Sequence, residues 1–326
     1  MKKVLIAILL LGLLPHASAD YIHWVDFRLS APVLRSALEL DMASQGGEQP
    51  LDWIDILALA AAWRGGTGVT VADTQRAAQA LRGDTPPERL PGMAGRYFSY
   101  YREAYGAALG GLAGHFAIRR TDPQTGEAEW IPAYGLKAFS PIAAGYFWSH
   151  YPDFGAQRSY GYARPHLGND ILGALGTPIC AVEGGTVEAL GWNRYGGWRI
   201  GIRSDDRKRY YYYAHLRKDA PYAEGLAVGQ RVQAGDVIGF MGRTGYSAQE
   251  NVNNIETVHL HFGLQLIFDE SQKECDSEIW IDVYPIIELL ASHCSSVARD
   301  PQTGRWERLY PYCDLDAEPL RSAAAR

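Results

Sequence analysis

Residues 258–266 narrow the possible folds more than any other segment, because apolar and non-apolar side chains alternate there without exception. The even-numbered positions are all apolar, and the odd-numbered ones are His259, His261, a glycine and a glutamine. Successive side chains of a β-strand point to opposite sides of the sheet, so this period of two predicts a strand with one buried face. Both imidazoles are therefore expected on the same side, about 7 Å apart, with Leu260 buried on the other side.

Further short β segments, separated by glycine-rich turns, extend from about residue 161 to residue 268. An acidic pair, Asp205 and Asp206, predicts a hairpin between two of these segments. Short strands joined by turns favour an antiparallel sheet. The predicted strands cover residues 179–190, 198–203, 210–216, 228–240 and 257–267.

The chain before the sheet, residues 20–114, carries helix signals instead. Pro32 stands at a helix-start position. Asp52 is placed to cap a second helix over residues 53–63, which two glycines follow. Thr70 opens a third helix with an acidic residue three positions later, the pattern of a capping box.

Aromatic side chains recur at helical spacing towards the end of this helical part. Such a stripe is more often part of a core than a platform for a ligand. The whole pattern predicts an α+β protein, with a helical N-terminal domain followed by an antiparallel β-sheet domain. The aromatic residues are Tyr97, Phe98, Tyr101 and Tyr105.

A length of 326 residues predicts two domains with shorter segments around them. Asp122 and Asp300 each begin the same turn pattern, Asp-Pro-Gln-Thr-Gly, and predict two unrelated hairpins. The predicted division is a signal peptide (1–19), a helical domain (20–114), a hairpin and connecting segment (115–160), the sheet domain (161–268), and a C-terminal helix with a cysteine-containing tail (269–326).

The first residues are typical of an export signal. Lys2 and Lys3 precede an apolar run over residues 4–14, and small residues at 17–19 form a cleavage site. An uncleaved interfacial anchor is the alternative interpretation. The mature protein is expected outside the cytoplasm, secreted or in the cell envelope, without stable membrane insertion.

Four cysteines remain after the predicted cleavage, an even number that permits up to two disulfides in an exported protein. No Cys-x-x-Cys pair occurs, which argues against a thiolate zinc site and favours disulfides or buried thiols. The net charge of -6 argues against a nucleic-acid partner, because such partners bind basic surfaces. The cysteines are Cys180, Cys275, Cys294 and Cys313.

A second histidine-bearing segment pairs His166 with Asp170. Pro165, Gly168 and Asn169 argue against a continuing helix, so a turn is expected to bring the imidazole and the carboxylate together. Imidazole nitrogen and carboxylate oxygen both suit Zn²⁺. A catalytic zinc takes three protein ligands and leaves one position for water.

His215 lies at the end of the predicted strand 210–216, where it is expected to share a face with Tyr211 and Tyr213. Alone it would be an ordinary strand-end histidine, and the two histidines of segment 258–266 alone could be surface residues. The combination of the three segments is what indicates a functional site.

Three motifs of this sequence together resemble the lysostaphin-type peptidase family, which is grouped with the D-Ala-D-Ala metallocarboxypeptidases. Residues 228–239 also resemble the strand-turn-strand that precedes that family's last motif. The resemblance covers roughly residues 161–268, and the motifs are specific in combination. They are the His-x-x-x-Asp of His166 and Asp170, the single His215, and the His-x-His of His259 and His261.

The resemblance implies a secreted zinc metalloendopeptidase that hydrolyses peptide cross-links of bacterial peptidoglycan, with stem peptides or cross-bridges as its partners. It assigns one zinc ion per chain to His166, Asp170 and His261, and catalytic roles to His215 and His259. Zinc lowers the pKa of a bound water and polarises a carbonyl, and a neutral histidine can accept the water proton. Which histidine does so is left open by the sequence.

Two other functions compete with this interpretation. A non-catalytic peptidoglycan-binding or hydrolase-activating module of the same fold is expected to have lost a ligand, whereas all five residues are present here. A biotinyl or lipoyl carrier, suggested by the hairpin over residues 228–239, needs an acceptor lysine. None occurs between Lys218 and Lys273, so the enzyme is the favoured hypothesis.

Overall fold

The computed structural model describes residues 21–122, 124–159, 163–273 and 277–317. The predicted signal peptide lies outside the described residues. Within them, no helix combines the length and the apolar character needed to cross a membrane. The N-terminal part folds into the helices α1 (Ala31–Ser44), α2 (Trp53–Arg64), α3 (Val71–Leu81) and α4 (Met93–Leu109).

The helix ends lie where the sequence signals place them. The backbone N–H of Ile54 donates to the side chain of Asp52 at 2.7 Å, and Gly65 ends α2 in the left-handed conformation. Thr70 and Asp73 form a capping box at the start of α3. These contacts confirm the predicted helix boundaries.

Helix α2 forms the centre of the helical part. Its residues 56–62 have no exposed surface, as expected for a helix that is apolar on every side. The aromatic stripe of α4 packs into the same core, because Phe98, Tyr101 and Tyr105 are all buried. The interpretation of this stripe as core is confirmed.

The strands follow in chain order, with the helix α5 (Tyr284–Leu290) between the fourteenth and the fifteenth. Their bounds are β1 (Ala113–Thr121), β2 (Ala128–Leu136), β3 (Trp148–His150), β4 (Gln157–Arg158), β5 (Arg164–Pro165), β6 (Asn169–Gly173), β7 (Pro178–Cys180), β8 (Gly185–Asn193), β9 (Gly197–Ser204), β10 (Arg209–Ala214), β11 (Arg231–Val232), β12 (Val237–Phe240), β13 (His259–Leu266), β14 (Ile279–Trp280), β15 (Val297–Arg299), β16 (Trp306–Arg308) and β17 (Tyr312–Asp314).

The main sheet is antiparallel, with the order β11-β8-β9-β10-β13-β6-β3, and β14 pairs with β13 beside this path. Strand β13 therefore lies near its centre, between β10 and β6. Leu260 of β13 is fully buried, which confirms the face assignment from the alternation. Helices followed by an antiparallel sheet confirm the predicted α+β fold class.

Two of the predicted strands are each divided in the structure. The segment 179–190 forms β7 and β8, and the segment 228–240 forms β11 and β12. Strands β7 and β12 leave the main sheet and pair with each other. The turn that allows this is held by Gly235, whose N–H donates to Ala181 and whose φ of 84° suits glycine. Glycines stand at both breaks, Gly184 and Gly185 in the first segment and Gly235 in the second.

Strand β17, near the C-terminal end of the described residues, pairs with β1. Both predicted Asp-Pro-Gln-Thr-Gly turns join antiparallel hairpins, β1-β2 and β15-β16. Cys180 and Cys313 are buried free thiols, and Cys294 is a partly exposed one. Cys275 lies outside the described residues.

A buried ion pair connects the helical part to the sheet. Arg209 of β10 makes two hydrogen bonds to the carboxylate of Glu183, at 2.7 and 3.0 Å. Its remaining nitrogen donates to the carbonyls of Gly106 and Ala107 at the end of α4. Tyr211 donates to the same carboxylate at 2.6 Å, so charge and hydrogen-bonding groups are satisfied together.

The buried position of Leu260 generates a stability prediction. Leu260→Ala removes side-chain atoms from a fully packed site, and such truncations cost about 2 to 5 kcal/mol. We expect a lower midpoint of thermal unfolding with the metal ligands chemically unchanged. Met42→Ala, a change at a 43% exposed position, is the control and should unfold near the parent temperature. A Leu260→Ala protein as stable as the parent would contradict the packing described for β13.

Candidate metal and catalytic site

Three side chains from separate segments place one ligand atom each around a common point. The Nε2 of His166 lies 2.8 Å from the Nδ1 of His261 and 3.0 Å from the Oδ1 of Asp170. The Nδ1 of His261 is 3.2 Å from the same carboxylate oxygen. The three residues predicted as metal ligands are therefore brought together.

Sheet register sets two of these positions. Asp170 of β6 is the direct cross-strand partner of His261 in β13. His166 reaches them from the turn before β6, as the sequence predicts. Gly168 permits the close approach, because a Cβ atom there would lie 2.8 Å from the ring of His261.

The donor set fits a metal cation. The Nδ1 of His166 faces the backbone oxygen of Asp153 at 3.1 Å and must donate there, which leaves a lone pair on Nε2. An imidazole lone pair, a second imidazole nitrogen and a carboxylate oxygen then converge within 3.2 Å, where they repel unless a proton or a cation lies between them. Two imidazoles and one carboxylate are a known zinc ligand set.

The pKa values of His166 and Asp170 are shifted by the closeness of these groups. Burial disfavours the charged form of His166, but the carboxylates of Asp153 and Asp170 outweigh it and raise its pKa to about 9. Burial likewise opposes ionisation of Asp170, yet hydrogen bonds from His166 and His261 hold its pKa well below the usual range. In the metal-free protein a proton on His166 takes the place of the cation.

A second carboxylate, Asp153, supports the ligands from behind. It is buried, and its Oδ2 lies 3.2 Å from the Nδ1 of His166 and 2.9 Å from Arg158. Its Oδ1 accepts from the side-chain amide of Asn169 at 2.8 Å. Arg158 also donates to the Oδ2 of Asp170 at 3.0 Å, so the ligand carboxylate is held on both oxygens.

Hydrogen bonds connect the ligand-bearing segment to helix α5 through His150. The Nδ1 of His150 donates to the side-chain oxygen of Asn169 at 2.6 Å, because the amide nitrogen already donates to Asp153 and to a backbone carbonyl. The Nε2 of His150 lies 2.7 Å from Glu288. The motif residue next to Asp170 is thus fixed by a chain of buried polar contacts.

His215 is placed by a local backbone conformation rather than by strand alternation. Strand β10 ends at Ala214, and His215 has a φ of 61°, which is uncommon for a residue other than glycine. The prediction that it shares a face with Tyr211 and Tyr213 is wrong. Those tyrosines are buried in the core, and His215 lines the cleft with Tyr212.

Both predicted catalytic histidines have the same tautomer when neutral. The Nδ1 of His215 donates to the carbonyl of Thr244 at 2.9 Å, and the Nδ1 of His259 donates to that of Thr257 at 2.9 Å. Each Nε2 therefore carries a lone pair that can accept a proton. Their rings are 4.7 Å apart, and the Nε2 of His259 is 3.7 Å from the Oδ1 of Asp170.

Burial, followed by the positive charges of His259 and His261, lowers the pKa of His215 well below its ordinary value. His215 is consequently a neutral imidazole at neutral pH. The cleft beside it has a volume of about 150 Å³ and is lined by ligand residues and by loop tyrosines. The site combines a potential metal position with two imidazoles whose Nε2 atoms can accept protons.

Sequence reasoning found the five central residues and missed their support. Asp153 and Arg158 lie outside the recognised motifs. His150 is in β3, in the segment predicted only as a connection, and Glu288 is in the C-terminal helix. The only local signal was Asn169 beside Asp170, an amide that must find buried partners.

The fold and the site together define a metallopeptidase-type domain, and comparison with known proteins agrees. Residues 164–274 match Peptidase family M23. The chain is 41% identical over 124 residues to an L-Ala--D-Glu endopeptidase of Bacillus subtilis, a match that covers 38% of this chain and 36% of that protein. The resemblance of this segment to lysostaphin-type peptidases is thereby confirmed.

Lysostaphin itself is among the related proteins. The chain is 37% identical over 98 residues to lysostaphin of Staphylococcus simulans, covering 30% of this chain and 17% of that one. The solved catalytic domain of that protein has 29% sequence identity and a TM-score of 0.32, covering 44% of this chain and 92% of that structure. The matched segments thus span 36% of the Bacillus subtilis endopeptidase and 17% of full-length lysostaphin.

The contact between Asp153 and His166 generates a prediction about metal affinity. Asp153→Asn removes the charge that orients and polarises a ligand imidazole, and losses of this kind weaken metal binding about 10-fold to 100-fold. Competition with a chelator measures the zinc affinity. Asp282→Asn is the matched control, since Asp282 contacts none of the ligands and accepts from a backbone N–H of α5. Equal zinc affinity in the Asp153→Asn protein and the parent would show that Asp153 does not support the metal ligands.

Proposed function

We propose that the protein is an exported zinc endopeptidase that hydrolyses peptide bonds of bacterial peptidoglycan. The observation that carries the proposal is the convergence of three ligand atoms beside two histidines whose Nε2 atoms are both proton acceptors. The relatives named as endopeptidases of L-Ala--D-Glu and glycyl-glycine bonds support a peptide substrate of the cell wall. Export rests on the predicted signal peptide alone.

One zinc ion would be held by His166, Asp170 and His261. When bound, zinc lowers the pKa of a water molecule and polarises a carbonyl as a Lewis acid. One of the two Nε2 lone pairs, on His215 or on His259, accepts the proton that the attacking water releases. The water oxygen bonds to the carbonyl carbon, the carbon–nitrogen bond breaks, and the accepted proton passes to the departing amine.

Supporting residues prepare this chemistry. Asp153 holds His166 in the tautomer that presents Nε2, and Arg158 fixes the second oxygen of Asp170. Carbonyl acceptors at Thr244 and Thr257 hold the two proton-accepting rings in place. The positions of the reacting groups are consequently set before substrate binds.

The first test is metal content. The mature protein should contain one zinc per chain by mass spectrometry, and a chelator should abolish hydrolysis that added zinc restores. His261→Ala should lose the metal, because it removes one of three protein ligands. A protein that binds no zinc after reconstitution would contradict the proposal.

The second test separates ligands from proton acceptors. His215→Ala and His259→Ala should keep zinc but reduce hydrolysis of purified peptidoglycan by about 100-fold or more, the usual scale for a positioned acid or base. His115→Ala is the control, because its side chain is 62% exposed on β1, in a different sheet. Unchanged hydrolysis in both cleft variants would contradict the proton-accepting roles, whereas a zinc-loaded parent that binds peptidoglycan without hydrolysing it would favour the non-catalytic binding module.

A further inference from the structure

His215 is held in the cleft by neighbouring segments. Its backbone N–H donates to the carbonyl of Gly196 at 2.7 Å, and its ring Nδ1 donates to the carbonyl of Thr244 at 2.9 Å. Its φ of 61° is in the left-handed region, which a residue other than glycine keeps only when its surroundings impose it. The orientation of this imidazole therefore depends on the segments that contact it and not on β10 alone.

Thr244 connects the segments that surround His215. It lies in the loop between β12 and β13 and has no exposed surface. Its hydroxyl donates to the carbonyl of Leu216 at 2.6 Å and accepts from the backbone N–H of Trp198, in β9, at 3.2 Å. Thr244 thus contacts the ring of His215 through its carbonyl, and the residue after His215 through its hydroxyl.

The hydroxyl of Thr244 fixes the backbone carbonyl that accepts from His215. A hydroxyl has one proton and two lone pairs, so it satisfies a carbonyl and an N–H at the same time. Without it, the backbone at this position loses its side-chain connections to Leu216 and to Trp198, and the carbonyl is free to shift relative to the imidazole. Valine has nearly the same shape but neither donates nor accepts, so Thr244→Val isolates the contribution of the hydroxyl.

The other site residues are anchored elsewhere. The ring of His259 donates to the carbonyl of Thr257, and the metal ligands are supported by Asp153 and Arg158. Within the described residues, the side chain of Thr244 makes no hydrogen bond to any of these groups. A change at this hydroxyl is therefore expected to affect the reaction through His215 and to leave metal binding intact.

We propose that Thr244 is a positioning residue, whose hydroxyl keeps the Nε2 of His215 aimed at the reacting groups. This proposal rests on the function proposed above and deepens it, because it identifies what holds one of the two proton acceptors. The hydroxyl is buried, so it acts on the geometry of the imidazole and not on the substrate directly. A misplacement of about 1 Å in a reacting group can lower a rate about 100-fold.

Steady-state hydrolysis of soluble cross-linked peptidoglycan fragments by the zinc-loaded protein measures this role. Thr244→Val should lower kcat about tenfold with KM unchanged, because substrate contacts stay and only the geometry of the reacting groups changes. Thr244→Ser keeps a hydroxyl and should retain a kcat near that of the parent. Zinc content and melting temperature are measured for each variant, and all assays are run well below the lowest melting temperature.

Thr177→Val is the matched control. Thr177 is also buried, but its hydroxyl has no hydrogen-bond partner in the part of the chain that the structure describes. The same substitution there should leave kcat and KM at the parent values. A kcat that falls equally in Thr177→Val and Thr244→Val would assign the loss to the exchange of a buried threonine and would overturn the proposal.

A double variant separates positioning from a general loss of structure. In the His215→Ala protein, a further Thr244→Val change should cause no additional loss of kcat, because no imidazole remains for the hydroxyl to position. A similar loss in the parent and in the His215→Ala background would show that Thr244 acts independently of His215. That result, or a Thr244→Val protein with the kcat of the parent, would overturn the proposal.

The imidazole itself gives a readout that does not depend on hydrolysis. Nitrogen NMR of the zinc-loaded, histidine-labelled protein shows which ring nitrogen carries the proton, and the signals of His215 are identified by their absence in His215→Ala. The parent should have the proton on Nδ1, and Thr244→Val should have a mixture of both tautomers. An unchanged tautomer in Thr244→Val would overturn the positioning role. A tautomer change in a protein that hydrolyses no peptidoglycan would support that role and contradict the proposed function.

Discussion

The antiparallel ladder between β6 and β13 is the constraint on which the site depends. It places Asp170 directly opposite His261 and Leu172 opposite His259, so one register determines the positions of two predicted metal ligands and one predicted proton acceptor. A shift by one residue would turn both histidines towards the core and Leu260 towards the cleft. Burial of the apolar face therefore protects the chemistry as well as the fold.

The buried carboxylates are the second feature that organises the site. Asp170 and Asp153 are ionised although burial opposes it, because histidine, arginine and amide groups meet their oxygens. Low local polarity strengthens each of these contacts and makes any missing partner costly. Such a cluster suits a cation, and without one a proton on His166 relieves the repulsion between its donor atoms.

Alternation and turn chemistry made β13 and the helix caps predictable from the sequence, and the resemblance of three motifs to a known family indicated the five central residues. Each of those signals is local, within a few residues of the feature that it describes. Asp153 and Arg158 could not be found this way, because only the tertiary fold brings them to the ligands. His215 was found by its motif, but its orientation was not, since a single left-handed residue interrupts the period on which the face assignment depended.

The ion pair of Arg209 and Glu183 has a consequence for the modularity of the chain. Arg209 donates hydrogen bonds to two backbone carbonyls in the last turn of α4. A peptidase segment separated from the helices would keep the buried guanidinium but lose these two hydrogen-bond acceptors. Replacing those acceptors inside a protein core is expensive. The helical part is therefore not an interchangeable appendage, and shuffling of this peptidase segment into other architectures requires a substitute for the end of α4.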